Sequence, residues 1–473
     1  MNHFLKSVQK NKNIRMGVLF CSFMFVQFII LRMSNQAGRG YLEEQRQELV
    51  YLFIQLVVIG GFFSHALIKS KVQSEKACKG ATLVSLALCM AGTAVMLFSP
   101  AASLFYLMVT GLSVFFLGFT GGAVYCQLAS LNADKARTGL CVGAGYAAAV
   151  ALQFCLQLQW TVIPALSVML AVSFGALGFL LLKSTEALAL PEQKESQTDI
   201  APPSLLFYTS VITLALLLFT SYYNSYIHHL QIASGYTDYN VYTWPRLLMI
   251  PAILLFGFLG DLRGGKYLPL GTLCVVVVAL LNTVLLGRET YILNMCLYYV
   301  AITAVIAYYN LTFIRLAART RHPAIWVVMG RVIDSATVVL GMTLKFSTFS
   351  QAAILMTDIA ALVVAIIMMT LTGAFDLSEH ARHEAQFVSE TAPVHEPQTE
   401  TETDPFSAIQ ESYRITPSEM KVLRELVGTD DKQDAIALRL NISVSTLRHH
   451  ITSIYKKTGT QTRSALCKLV MNQ

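Results

Sequence analysis

Long apolar runs, broken by short polar segments, repeat along the first four-fifths of the chain. A helix needs about 20 apolar residues to cross a bilayer core of about 30 Å. The pattern therefore predicts membrane-spanning helices over 16–31, 49–68, 80–98, 103–130, 139–157, 161–182, 205–222, 241–260, 268–286, 292–314, 323–345 and 349–373. That makes twelve, the first short and the fourth long enough to tilt. Beyond 413 the pattern changes to short amphipathic helices. The expected fold class is all-α: a polytopic membrane bundle of about 12 helices plus a C-terminal four-helix domain.

Two polar interruptions divide the chain. Residues 183–204 hold three prolines and split the apolar runs into a first half, 1–182, and a second half, 205–373. Residues 374–412 hold nine acidic side chains against Arg382 alone, with prolines at 393, 397 and 405, a composition that cannot bury a core and predicts a disordered linker. Residues 413–473 carry ten Lys and Arg against five Asp and Glu.

Composition agrees with the pattern: 55% of the 473 residues are hydrophobic and 13% charged, where a soluble domain carries about 25% charge. The net charge of +7 matters through its distribution. With the N-terminus inside, seventeen loop Lys and Arg fall on the cytoplasmic side, Lys69, Lys71, Lys76 and Lys79 among them, and five fall outside: Arg32, Arg39, Arg46, Arg288 and Lys345. The expected location is the inner (cytoplasmic) membrane, multi-pass, with both termini cytoplasmic. The basic N-terminus before the first run has no small-residue cleavage site and reads as preceding an uncleaved helix. Nine scattered cysteines form no CxxC pair and no metal-ligand spacing, so neither metal nor cofactor is expected.

At 416–419, Thr-Pro-Ser-Glu forms a capping box ahead of Val422, Leu423 and Leu426. A second helix at about 432–440 presents Ile436, Ala437 and Leu440. Ser443 caps a third, about 444–457, whose Leu447, Ile451 and Ile454 recur at core spacing. Ser445, Arg448, His449, Thr452 and Lys456 lie on its opposite side. Gly459 stops it, and Thr462 caps a fourth helix bearing Leu466, Leu469 and Val470. Two helices, a short turn and a helix with a polar, basic exposed side suit entry into a major groove. Arg448 can contact guanine edges or phosphate, and Ser445, Thr446 and Thr452 can contact phosphate or bases. Lys456 and Lys457 add sequence-independent attraction to promoter DNA. The adjacent His449 and His450 point apart on a helix and do not make a metal site.

The run I-T-P-x-E…V-L…I-A…L-x-I-S-x-x-T-L-R-x-H-I…I-Y-x-K-x-G-x-x-T-R over 413–473 resembles the LuxR-type (GerE-type) helix-turn-helix. That resemblance implies Ser445, Thr446, Leu447, Arg448 and Lys456 as the DNA-facing set. It also implies a homodimer on DNA paired through the last helix, 462–471. Asp434 stands where the family commonly has lysine, and Val444-Ser445 where it commonly has Glu-Lys, which implies weaker phosphate affinity or a different preferred sequence.

Six-plus-six helices joined by a polar loop, with GFLGDLRGGK at 257–266, are similar to the major facilitator superfamily. Gly257, Asp261, Gly264 and Lys266 match its loop motif; Leu262 and Gly265 depart from it, and the first-half loop 69–79 lacks the glycine and aspartate. Ionisable residues inside spans are costly and mark candidate function. Arg331 and Asp334, at i and i+3, can pair as a ligand site or as a structural ion pair. Asp358 falls near the middle of the twelfth span, and Arg246 lies in the outer half of the eighth. Tyr308, Tyr309 and Asn310 lie deep enough to line a pocket for a small molecule, with Gln153 a further candidate. The outer tyrosines 222, 223, 226, 298 and 299 read as interfacial belt, and His228-His229 as an exterior loop.

No phosphate-cradling loop, kinase segment or catalytic triad context occurs, so an enzyme is not expected. The expected function is a membrane-embedded one-component transcription regulator that senses a small molecule. The alternatives are a secondary transporter with an appended regulatory DNA-binding domain, and a membrane scaffold with a protein-binding tail.

Overall fold

The computed structural model describes residues 11–35, 44–72, 74–99, 103–132, 137–158, 163–182, 200–233, 244–285, 291–345 and 348–373. In the C-terminal segment it describes 409, 412–413, 415–428, 436–437, 440, 444–460 and 462–471. Among these residues the secondary structure is entirely helical. The chain forms two compact units, Met1–Arg382 and His383–Gln473. The expected linker, apart from 409 and 412, and most of the 183–204 loop lie outside the described residues.

The first unit begins with α1 (Lys12–Ser34), α2 (Glu44–Lys71), α3 (Glu75–Phe98), α4 (Leu104–Asn132), α5 (Thr138–Leu158) and α6 (Ile163–Leu182). It continues with α7 (Pro203–Ala233), a 3-10 turn Trp244–Leu248, α8 (Met249–Asp261), α9 (Tyr267–Leu285), α10 (Tyr291–Ala317), α11 (Met329–Thr343) and α12 (Gln351–Leu371). Ten helical segments among the described residues are long and apolar enough to cross a membrane. Two of the twelve expected spans fall short of that measure. The ninth contributes an apolar stretch of Tyr267–Thr283. The eleventh, expected as one span over 323–345, is split: Pro323 opens a single turn ending at Trp326, and α11 starts afresh at Met329. Its polar Arg331, Asp334, Ser335 and Thr337 lower its hydropathy.

Large apolar side chains such as Phe98, Leu112, Val172, Leu255 and Ile367 stay exposed on the outer helix faces, while a continuous core fills the interior. That much apolar surface is incompatible with water and fits a lipid bilayer: the chain is a multi-pass membrane protein. Inside, α1 packs on α5, α2 on α4, and α7 on α12, and α5 packs on α8 across the halves. The α5–α8 crossing depends on Gly139 and Gly257, because a Cβ on either would run into the other's backbone carbonyl. Small residues allow this close approach where lipid supplies no hydrophobic drive.

Two expectations about α7 are corrected. It runs to Ala233, so His228 and His229 are helical and not in a loop. Tyr222, Tyr223 and Tyr226 are buried, as is Tyr299 of α10, so these are interior groups and not a belt.

The second unit has its own core, built from Ile415, Leu423, Leu426, Ile436, Leu447, Ile454, Leu466 and Val470. It contains α13 (Pro417–Gly428), α14 (Val444–Thr458) and α15 (Arg463–Met471). Of the expected second helix only 436, 437 and 440 are described, with Ile436 and Ala437 buried. The Thr416 amide donates to the Glu419 carboxylate at 2.8 Å and the Glu419 amide to Thr416 Oγ1 at 3.4 Å, a reciprocal capping box. Thr462 Oγ1 accepts from the Ala465 amide at 3.3 Å and starts α15. Arg463 Nε donates to the Leu426 carbonyl at 2.7 Å, tying α15 to the end of α13.

Candidate functional site

The centre of the membrane unit gathers most of the polar residues that the sequence singled out. On α11, Arg331 Nη1 donates to Asp334 Oδ2 at 2.9 Å and to the Tyr309 hydroxyl of α10 at 2.7 Å. Tyr309 donates in turn to Asp334 Oδ2 at 3.3 Å. The two helices come this close because Gly330 faces Tyr309 and Phe313, where a Cβ would lie 2.8 and 3.0 Å from their rings. Trp326 stacks on Phe313, holding the turn that precedes α11 against α10. Arg331 is buried, whereas the Asp334 side chain keeps 28% exposure.

Asn310, the next residue on α10, accepts from the Tyr125 hydroxyl of α4 at 2.6 Å and donates to the Ile306 carbonyl at 2.8 Å. Tyr125 is held edge-on by Phe20, Phe23 and Phe62. Arg246, in the turn before α8, donates to Gln153 of α5 at 2.7 Å. Its guanidinium lies over the Phe28 ring at 5.8 Å, and Phe28 meets Tyr146 edge-on at 5.5 Å. Tyr146 lies within electrostatic reach of Arg246, Arg331 and Asp334. Six of the eight predicted residues (Arg331, Asp334, Tyr309, Asn310, Arg246 and Gln153) thus belong to one neighbourhood, tied across the halves by Tyr125–Asn310 and Arg246–Gln153.

The other two stand apart. Tyr308 is buried, but among the described residues no hydrogen bond joins it to this cluster. Asp358 of α12 is fully buried, and neither carboxylate oxygen has a hydrogen-bond partner among the described residues. Its electrostatic neighbours are Tyr222 and Tyr223 of α7. Tyr223 donates to Asn294 Oδ1 at 2.9 Å, as does Asn282 Nδ2 at 2.9 Å. Sequence reading missed Tyr125, Tyr146, Asn282 and Asn294. Their only signal was a polar atom within an apolar run.

At the 257–266 motif, Asp261 accepts from the Gly139 and Leu140 amides, both at 2.7 Å, and from Arg315 Nη2 at 3.1 Å. Its carboxylate therefore caps the N-terminus of α5, the end of a helix that favours negative charge, and clamps one half to the other. Arg263 and Gly264 turn the chain with φ of 44° and 70°. The Gly264 match is explained by that left-handed position.

In the C-terminal unit, Thr446, Arg448, His449, Thr452 and Lys456 lie exposed on α14. Ser445 is helical; its side chain lies outside the described residues. Two assignments are revised. Leu447 is fully buried and packs in the core, as its spacing requires, leaving no surface for DNA. The Lys457 side chain keeps 31% exposure but donates to Glu419 Oε2 at 2.6 Å, and Ser453 donates to Oε1 at 2.6 Å, so its charge is shared with a carboxylate of the domain. Burial alone would raise the Glu419 carboxyl, but hydrogen bonds from Lys457, Ser453 and Thr416 outweigh it and hold its pKa down at about 2. Glu419 reads locally as a capping residue; its partners 34 and 38 positions away leave no local signal.

Compared with protein-family models and with curated proteins, the sequence matches none.

Proposed function

We propose that the chain is a membrane-embedded one-component transcription regulator: its membrane unit senses a small molecule and its C-terminal unit binds promoter DNA. The observation that carries the reading is the exposed polar face of α14, with Arg448 between Thr446 and Thr452, on a separate core with a LuxR-like sequence. The twelve-helix, six-plus-six reading of the membrane unit is part of the proposal. So are an inner-membrane location with both termini cytoplasmic and a homodimer on DNA through 462–471. In α15, Leu466 and Val470 are buried, leaving Ala465, Lys468 and the half-buried Leu469 to meet a second copy. The ligand engages the Arg331–Asp334–Tyr309 cluster. A ligand shifts an equilibrium only through its different affinity for two states, and contacts that join the halves here are ones that a change of state would alter.

Selection of binding sequences from random DNA by the full-length protein in detergent tests the reading. Enrichment of a two-fold symmetric sequence is expected, with Arg448→Ala weakening it by about 1–3 kcal/mol if the side chain reads a base edge. No enrichment over random DNA would overturn the regulator.

A further inference from the structure

A second polar pocket lies within the first half, at the loop-side ends of α2, α3, α4 and α6, away from the central cluster. It encloses about 40 Å³ and is lined by His65, Lys69, Glu75, Lys79, Thr82 and Gln127, with apolar side chains of α3, α4 and α6 completing the wall. Two of these residues are deeply buried and incompletely partnered. His65 is 5% exposed and its Nδ1 has no hydrogen-bond partner among the described residues. Gln127 is 2% exposed; its Nε2 donates to the Leu180 carbonyl at 3.3 Å, which fixes the amide and leaves Oε1 without a donor. Buried polar atoms are rarely left unpaired, because each costs about 1–3 kcal/mol. At the rim, Lys79 pairs with Glu75 at 2.7 Å, so Lys69 gives the pocket a surplus positive charge. Lys71 and Lys76 are exposed on the same loop.

We infer that this pocket binds a phosphate group that also carries a hydroxyl. The lysines attract the oxyanion. Gln127 Oε1 can only accept and so requires the hydroxyl proton. The volume admits one small polar group, with the rest of the ligand in the open mouth between Lys69 and Lys79. Two sources share this chemistry: the glycerol-phosphate headgroup of an anionic lipid, for which basic pockets between helices at the membrane surface are suited, and soluble hydrogen phosphate. The site is independent of DNA binding and of the central cluster.

The test uses full-length protein in phosphatidylcholine nanodiscs. One arm adds radiolabelled phosphatidylglycerol, the other radiolabelled inorganic phosphate, and bound label per protein is measured. Saturable binding in either arm is expected and identifies the source. The K69Q/K79Q pair should weaken it about fivefold per lysine, roughly 25-fold together, and Gln127→Leu should weaken it further. Absence of saturable binding in both arms, or binding unchanged by K69Q/K79Q, would overturn the proposal. Should Gln127→Leu fail to fold, the lysine pair, on the pocket rim, decides alone.

Discussion

Arg331 and Asp334 show how a charge is held inside a membrane protein. The guanidinium finds its carboxylate one turn away and a tyrosine hydroxyl on the neighbouring helix, and removing one member of a buried pair leaves the other uncompensated. Asp334→Asn is expected to cost about 3–5 kcal/mol, read as a lower midpoint of thermal unfolding in detergent, whereas Tyr309→Phe should cost about 1 kcal/mol. Equal losses from both would show that the ion pair is not the dominant contact. Glu419, 5% exposed, has the same logic within a small domain. Its carboxyl pKa of about 2 lies below the ordinary glutamate value. The stabilisation it provides is complete above about pH 5 and is lost as pH falls toward 2. Urea titrations of the C-terminal unit should show that decline, and Glu419→Gln should flatten it. A variant with the wild-type slope would remove Glu419 as its cause.

At the scale of elements, the α5–α8 crossing couples the halves. Two glycines bring the backbones together, and one carboxylate joins the start of α5 to Arg315 of α10. Asp261→Asn keeps the shape but loses the charge that makes these hydrogen bonds strong. The half-buried thiol of Cys141, one turn into α5, reports the consequence: maleimide labelling there, followed by mass spectrometry, should be faster in Asp261→Asn than in the wild type. Unchanged labelling would mean that glycine packing alone holds the crossing. The loop motif was legible because a left-handed turn and a close crossing admit few residue types. The split of the eleventh span was not legible, because Pro323 suits a helix start as well as a break.

At the scale of the whole molecule, the chain has two compact units with separate cores, as the proposed regulator requires. The proposed sensor is distinguished from the rival transporter by what it does with a ligand. Protein in sealed proteoliposomes should bind a cognate ligand saturably without gradient-driven accumulation. Sustained uptake would assign the membrane unit to transport and leave the C-terminal unit as its regulator.

Membrane spans, polar interruptions, caps and the amphipathic faces of α13 and α14 could be read from the sequence because they depend on local quantities: hydropathy over about 20 residues, periodicity over one or two turns, and a cap three residues from its partner. Arg331 with Asp334 belonged to that class, being one turn apart. Only the tertiary structure decided that Tyr125 meets Asn310, that Arg246 meets Gln153, that Lys457 reaches Glu419, and that Asp358 lies, among the described residues, without a hydrogen-bond partner beside tyrosines read as an outer belt. Each is a contact between residues far apart in the chain. Which of many polar atoms in apolar runs meet is fixed by helix rotation and packing, and a single helix carries no record of its neighbour's face.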